Sequence, residues 1–435
     1  MKEADILIHN CSILPMNGKG IIERGFIAIK DRKITHIGKI AGAFSITAKR
    51  TLNGQGKVAL PGLVNCHTHV AMTLFRGIAE DKSFNEWWKE TIYPLEQKLK
   101  RSHVHDGALL GCLEMIKSGS TCFADMYFHE DAVAEAVEKS GLRAVLAPGV
   151  IEAGNNEMGR RMLQEAEKIA REYHGCVDGR INIRLGPHTA CTCSPELLEE
   201  VRNAASDLNV GLHIHLAESR IMSEALRENF GLSEVELLEK VGFLKPDVLA
   251  AHCIHLSTRD MQILRKHDVK AAYNPVANMK LAAGIPKIHD LLKLGVTVGI
   301  GTDGAACNNS FDMFESMKIA ALLQKTHCAD PTVLPAEKVL RMATIEGAKA
   351  LGLENTIGSL EVGKKADIVL VNFHKPHLTP THDLYANLVY SAHGSDVDTV
   401  IVDGEMLMED RKMKTLKESE IMKKAQSSAY DLLEM

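Results

Sequence analysis

Two histidines one residue apart close an apolar run in LPGLVNCHTH, residues 60–69. Strand side chains alternate between faces, so His67 and His69 point the same way and can grip one metal ion. Neutral imidazoles are common ligands of zinc, and a catalytic zinc keeps a position open for water beside its protein ligands. Further donors stand at the ends of other apolar runs: His188 in GPH, His215 and Glu218 in HIHLAE, His252 in AAH, and Asp303 in GTDG. With 20 histidines in the chain, a lone H-x-H says little. The case rests on repetition, because five strand-like runs each end in His or Asp where the apolar stretch gives way to small or polar residues.

Elements able to bring these ends together are legible between residues 59 and 352. Eight strand-like runs, GLVNCH, STCFADM, RAVLAPG, INIRLGPH, VGLHIHLA, VLAAHC, KAAYNP and VTVGIGTD, alternate with amphipathic stretches. That is the pattern of a parallel sheet with crossover helices, and eight such units predict a closed (β/α)8 TIM barrel in the α/β class. HEDAVAEAVEKSG predicts a helix over 129–141, and Ser194 before Pro195 predicts an N-cap followed by proline at the first helical position. In such barrels catalytic groups sit at the C-terminal ends of strands, where the candidate donors fall.

Residues 1–58 read as short strands, with DRK as a hairpin tip, and the alternating pattern returns from Gly358 onward. Neither end has enough strands to bury a core alone, which predicts one small β-sandwich built from 1–58 and 353–435 beside the barrel. The final LKESEIMKKAQSSAYDLLEM predicts a charged surface helix. His103 and His105 repeat the H-x-H spacing at a helix start, where side chains two residues apart diverge by about 200°, which predicts a solvated terminus.

Composition narrows the function class. The 435 residues are 45% hydrophobic and 25% charged, and a net charge of −5 offers no basic face for nucleic acid. No apolar run is long enough for a membrane span and no secretory signal opens the chain, so the expectation is a cytoplasmic protein. The ten cysteines are scattered. Cys191 and Cys193 form a C-x-C without a partner pair at finger spacing, so they read as reduced thiols.

At this level of detail the chain resembles the amidohydrolase superfamily, and within it the 5-methylthioadenosine/S-adenosylhomocysteine and 5'-deoxyadenosine deaminases. The strings that carry the resemblance include PGLVNCHTHVAMTLFRGIAED, YPLEQKL, LEMIKSGSTCFADMYF, HIHLAES, YNPVANMKLAAGI and GTDGAACNNSFDMFESMKIAALLQK. The resemblance implies one divalent metal, zinc with iron or manganese as alternatives, held by His67, His69, His215 and Asp303. Binuclear members of the superfamily use a lysine at the end of strand four, and INIRLGPH has none.

Removing the 6-amino group of an adenine needs a nucleophile at neutral pH, a proton for the ring and an exit for ammonia. A metal-bound water supplies the first. Asp303 can take its proton, Glu218 can protonate purine N1 and later the leaving amine, and His252 can orient the nucleophile. Glu96 in YPLEQKL matches the family's ribose-binding carboxylate, and as an ordinary residue it would be a first-turn glutamate after Pro94. His188 matches a substrate-binding histidine. Trp87 and Trp88 are assigned to a lid, with a core or subunit contact as the plain alternative.

Relatives that take S-adenosylhomocysteine present arginines to its amino-acid tail. Here Pro148 occupies one such position and Arg160 is the remaining candidate, with Arg161 as the alignment ambiguity. The expectation is a nucleoside deaminase favouring compact 5' groups, with salvage of nucleoside by-products of S-adenosylmethionine reactions as its role and a homo-oligomer, dimer or tetramer, as its form. Competing readings are a guanine or cytosine deaminase, a chlorotriazine hydrolase, or a non-catalytic barrel scaffold.

Overall fold

The computed structural model describes residues 2–83 and 86–434. Five strands from the first 61 residues, β1 (Lys2–Ile13), β2 (Ile22–Lys30), β3 (Lys33–Lys39), β4 (Ile46–Asn53) and β5 (Lys57–Pro61), open the terminal sheet. The hairpin between β2 and β3 turns at Asp31 and Arg32, both at positive φ (51° and 66°), the pairing that suits a two-residue turn between twisted strands.

The barrel follows: β6 (Leu63–Thr68), β7 (Ser120–Tyr127), β8 (Arg143–Val150), β9 (Ile181–Pro187), β10 (Gly211–Leu216), β11 (Val248–His252), β12 (Lys270–Tyr273) and β13 (Val298–Ile300). Each pairs in parallel with its sequence neighbour. The chain then returns to the first sheet with β14 (Ile368–Asn372), β15 (Val397–Val402), β16 (Glu405–Glu409) and β17 (Lys412–Met413).

The terminal sheet is continuous in its hydrogen bonding, in the order β17-β16-β15-β14-β5-β1-β2-β3, with β4 branching off at β1. Ile8, Ile13, Ile27, Ile29 and Ile34 from one end of the chain share a core with Ile368, Leu370 and Ile401 from the other. A buried ion pair ties this sheet to the barrel: Arg143, which opens β8, donates from Nε and Nη2 to Asp367 at 3.0 and 3.2 Å. Asp367 also accepts from the Asp403 amide at 2.8 Å.

The last barrel seam, between β13 and β6, is closed largely by one side chain. Asn65 Oδ1 accepts from the Thr302 amide at 3.0 Å and its Nδ2 donates to Thr302 Oγ1 at 2.7 Å. The Asp303 amide donates to the His67 carbonyl at 2.9 Å, so the two ends that carry candidate ligands are bonded directly. Gly301 permits this approach, since a Cβ there would lie 2.3 Å from Asn274 Oδ1 and 2.9 Å from the His67 nitrogen.

The anticipated helices form at Glu130–Ser140, ended by Gly141 at φ 90°, and at Pro195–Leu208, where the Ser194 side chain accepts from the Leu197 amide. Two expectations need correction. The last helix, Glu418–Glu434, is not merely a solvated face: Ile421, Ala425 and Leu432 are buried, and it packs against Arg101–Lys117. His103 is likewise buried rather than solvated. Its Nε2 bonds Asp431 Oδ2 at 2.8 Å, while Asp106 accepts from Ser428 Oγ at 2.7 Å and pairs with Lys424 at 2.9 Å. Among the described residues no helix is long and apolar enough to cross a membrane.

Candidate active site

Every candidate donor leaves its strand at the same end of the barrel, several through backbone that non-glycine residues rarely adopt. His252 (φ 71°) and Asp303 (φ 67°) are left-handed, as is Ala217 (φ 50°), which separates His215 from Glu218. Such conformations persist where the surroundings over-determine them, and they concentrate at functional sites.

The side chains converge. Asp303 Oδ1 lies 3.7 Å from His67 Nε2 and 3.3 Å from His69 Nε2, and His69 and His215 bring their Nε2 atoms to 3.3 Å. His252 Nε2 stands between two carboxylates, 3.8 Å from Asp303 Oδ2 and 3.7 Å from Glu218 Oε1.

The opposite ring nitrogens are held from behind. His67 Nδ1 meets His213 Nε2 at 2.9 Å, His69 Nδ1 meets the Met126 carbonyl at 2.5 Å, His215 Nδ1 meets the His188 carbonyl at 3.0 Å, and His252 Nδ1 meets Asn278 Oδ1 at 2.9 Å. Partners of this kind fix the ring and turn Nε2 toward the centre. Asp125 pins both sides of His69, accepting from Thr68 Oγ1 at 2.6 Å and from the Val70 amide at 2.7 Å.

This arrangement fits a divalent metal. His67 Nε2 is buried with no hydrogen-bond partner among the described residues, a loss of about 1–3 kcal/mol for a polar atom unless something else satisfies it. The ligand atoms of His67, His69 and Asp303 all lie within 4.8 Å of one another, as do those of His67, His215 and His252, and imidazoles with a carboxylate form a donor set of the zinc class. Burial first, and then neighbouring basic groups, hold His67, His213 and His215 well below the usual histidine range. They are therefore neutral, as ligation requires.

The catalytic candidates have the complementary bias. Burial raises the Glu218 carboxyl, with His252 opposing, which favours its protonated form. For His252, burial lowers the affinity for a proton but the charges of Glu218 and Asp303 outweigh it, and the net shift is upward.

The centre opens into a cleft lined by His69, Trp87, Trp88, Glu96, Tyr127, His188, Glu218, His252 and Asp303, among others. His188 bonds Thr192 Oγ1 through Nδ1 at 2.9 Å, and burial followed by repulsion from His69 and His252 lowers its pKa to about 4. Trp88 stacks over it, with centroids 6.0 Å apart and planes 24° apart. Trp87 and Trp88 belong to a π-helical segment, Glu86–Ile92, while Phe84 and Asn85 of the same motif lie outside the described residues.

Glu96 lines the same cleft beside Tyr127. Burial raises its carboxyl to about 7, against the lowering effect of the Tyr127 hydroxyl and His69. A second cavity adjoins the first through Tyr93, Glu96, Tyr127, Phe128, Gly149 and Ile151, and it is lined further out by Pro148, Met158, Met162, Arg161 and Glu165.

Arg160 does not join the others. Its side chain is 60% exposed and pairs with Glu200 at 3.0 Å on the neighbouring helix, while Arg161 turns toward the outer cavity. Adjacent helical residues differ by about 100°, so one place in the register separates the two fates. Asn278, Asp125, Asn65 and Tyr127 were not anticipated. The only cue for Asn278 was its i, i+4 spacing from Asn274 in YNPVANMK, where Asn274 Nδ2 also approaches His252 Nδ1 at 3.4 Å.

A parallel barrel with a histidine-rich centre at the C-terminal ends of its strands defines a metal-centred barrel hydrolase. The chain belongs to the amidohydrolase family, whose model matches residues 58–407. A 5'-deoxyadenosine deaminase of Methanosarcina acetivorans is 48% identical over 431 residues, 99% of each chain. A 5-methylthioadenosine/S-adenosylhomocysteine deaminase of Desulforudis audaxviator is 48% identical over 432 residues, again 99% of each. Among solved structures, an adenosine deaminase from Xanthomonas campestris with bound zinc is similar with a TM-score of 0.95 and 28% identity over 100% of both chains. An atrazine chlorohydrolase from Arthrobacter aurescens complexed with zinc gives a TM-score of 0.90 at 26% identity, covering 98% of this chain and 100% of that one.

Proposed function

We propose that the protein is a zinc-dependent hydrolytic deaminase that converts the adenine of 5'-modified adenosines to hypoxanthine with release of ammonia. The observation that carries this reading is a half-buried carboxylate, Glu96, lining the same cleft as the acid/base set Glu218, His252 and Asp303. A free-base or triazine substrate has no ribose for Glu96 to bind.

His67, His69, His215 and Asp303 would hold the ion. When bound, a divalent metal would lower the pKa of water to about 7, which is the nucleophile-generating chemistry the site needs. Asp303, whose Oδ2 is turned toward His252, takes the proton of the attacking water. Glu218 gives its proton to purine N1 as oxygen adds to C6, and His252 hydrogen-bonds the incoming oxygen. As the C6–N bond breaks, the proton held by Asp303 leaves on the amine as ammonia, the C6 hydroxyl proton passes to Glu218 and restores its acid, and N1 keeps its hydrogen in the product. His188, with Nδ1 engaged by Thr192, offers Nε2 to the substrate, and Glu96 accepts the ribose hydroxyls.

The outer cavity receives the 5' group. Pro148, Met158 and Met162 favour a compact apolar substituent, as in 5'-deoxyadenosine or 5'-methylthioadenosine. A second reading rests on Arg161 and Glu165, which line the same cavity and together complement the zwitterionic tail of S-adenosylhomocysteine. Salvage of nucleoside by-products of S-adenosylmethionine chemistry is the corresponding role. Ten unpaired cysteines support a cytoplasmic location, and the exposed Met422, Tyr430 and Leu433 of the last helix support a homo-oligomer.

The test is ammonia release from 5'-deoxyadenosine, 5'-methylthioadenosine, S-adenosylhomocysteine, adenosine, adenine and guanine. The highest kcat/KM is expected for a compact 5' group. A preference for S-adenosylhomocysteine selects the second reading, and turnover of free bases alone refutes the nucleoside assignment.

A further inference from the structure

Away from the barrel mouth, three more ligand-type side chains meet. His377 stands in the turn Pro376–Leu378, and His393 and Asp396 bracket the turn Gly394–Asp396 that leads into β15. His377 Nε2 lies 2.8 Å from Asp396 Oδ2, and His393 Nδ1 lies 3.8 Å from the same oxygen. The two imidazoles are 5.1 Å apart between centroids, and the three donor atoms fall within 4.8 Å of one another. A tetrahedral ion with bonds of about 2.0–2.2 Å holds its donors roughly 3.3–3.6 Å apart, so small side-chain rotations suffice to fit one.

The cluster has one fixed member and two accessible ones. Asp396 is 3% exposed, and its carboxylate is set in place by the His393 amide at 2.9 Å. The side chains of His377 and His393 are 39% and 62% exposed, so an ion can enter from solvent and complete its shell with water. A simple ion pair would need only His377. His393 also caps the turn, its side chain meeting the Asp396 amide in a capping box, and an ion would take the imidazole over from that cap.

We infer that His377, His393 and Asp396 form a second divalent-cation site of the zinc class, separate from the catalytic centre. Two imidazoles and one carboxylate select borderline ions such as zinc over magnesium or calcium. The site clasps the ends of the segment between residues 377 and 396, whose π-helical stretch Asn387–Ser391 packs against the helix Met313–Cys328. The Gly394 amide donates to Asp312 Oδ2, the N-cap of that helix, at 2.8 Å. The ion therefore braces the terminal sheet against the helix that follows the Asp303 loop, and it touches no reacting atom.

The experiment compares the full-length holoenzyme with a His377→Ala/His393→Ala variant, each titrated with Zn²⁺ alone by calorimetry and assayed for bound metal. The wild type is expected to take up one ion per chain more than the variant and to gain thermal stability from it. The variant should lose both effects while kcat stays unchanged. Because the reading is a difference in stoichiometry, it stands or falls independently of the substrate assignment. Equal uptake by the two proteins, or a wild type that takes up no ion beyond its catalytic one, overturns the proposal.

Discussion

The spacing H-x-H occurs three times in this chain, and two of the occurrences have opposite fates. His67 and His69 lie at the end of a strand and both direct Nε2 to Asp303 Oδ1, at 3.7 and 3.3 Å. His103 and His105 lie in a helix and part company: His103 is buried against Asp431 of the last helix, and His105 turns to Asp106 at 3.3 Å. Identical residue types at identical spacing thus converge on one carboxylate oxygen or part to separate partners according to the period of the backbone, two for a strand and 3.6 for a helix. The third pair joins the first, since His213 supports His67 while its partner His215 reaches the centre.

Breaking the strand pair should have the largest effect. Replacing His67 or His69 by Ala removes an interaction that supports transition-state charge by several kcal/mol, so kcat/KM should fall by about 10⁴-fold, with bound metal lost in parallel. His105→Ala, the same change in the helical pair, should leave both unaltered. Glu218→Gln keeps the ligands and removes the acid, so a loss of about 10³-fold in kcat with metal retained is expected.

Glu96 sharpens the comparison on the substrate side. Glu96→Ala should lower kcat/KM on nucleosides by about 10–100-fold, the weight of a charged hydrogen bond. With its pKa raised to about 7 by burial, the accepting carboxylate is depleted as pH falls through that value. The nucleoside kcat/KM should therefore drop on the acid side of about 7, and Glu96→Gln should flatten that limb. An unchanged acid limb in the variant assigns the titration to another group.

The smallest effect belongs to the helical pair. His103→Ala removes the part-buried contact of a buried imidazole to Asp431, whose own side chain is 57% exposed, at a cost of about 0.5–1.5 kcal/mol read as a lower urea midpoint with kcat unchanged. A loss of activity without a loss of stability would connect the latch to the chemistry and contradict the contrast drawn between the two pairs.

Much of the centre was legible because its residues obey short-range rules. The strand period places His67, His69 and His215, and repeated apolar-to-polar transitions mark where the strands end. What supports them is set by distant segments. Asn278 reaches His252, Asn65 bridges to Thr302 across 237 residues, and His103 meets Asp431 across 328, and no local period encodes such encounters. Arg160 lies away from the cavity for a different reason. The Asn155 side chain caps the helix by accepting from the Met158 amide at 3.1 Å, and the register that follows sends Arg160 to Glu200 and Arg161 to the cavity. The buried face of the last helix was readable in Ile421, Ala425 and Leu432, but the six charged side chains of Glu418–Glu434 masked it.

The most direct test strips the protein of metal and restores Zn²⁺ in steps while ammonia release from 5'-deoxyadenosine is followed. No turnover is expected in the stripped protein, followed by a linear rise and a plateau at one ion per chain whether or not further zinc binds elsewhere. Full activity without metal, or a plateau reached only with a second ion, would contradict a single metal held by His67, His69, His215 and Asp303.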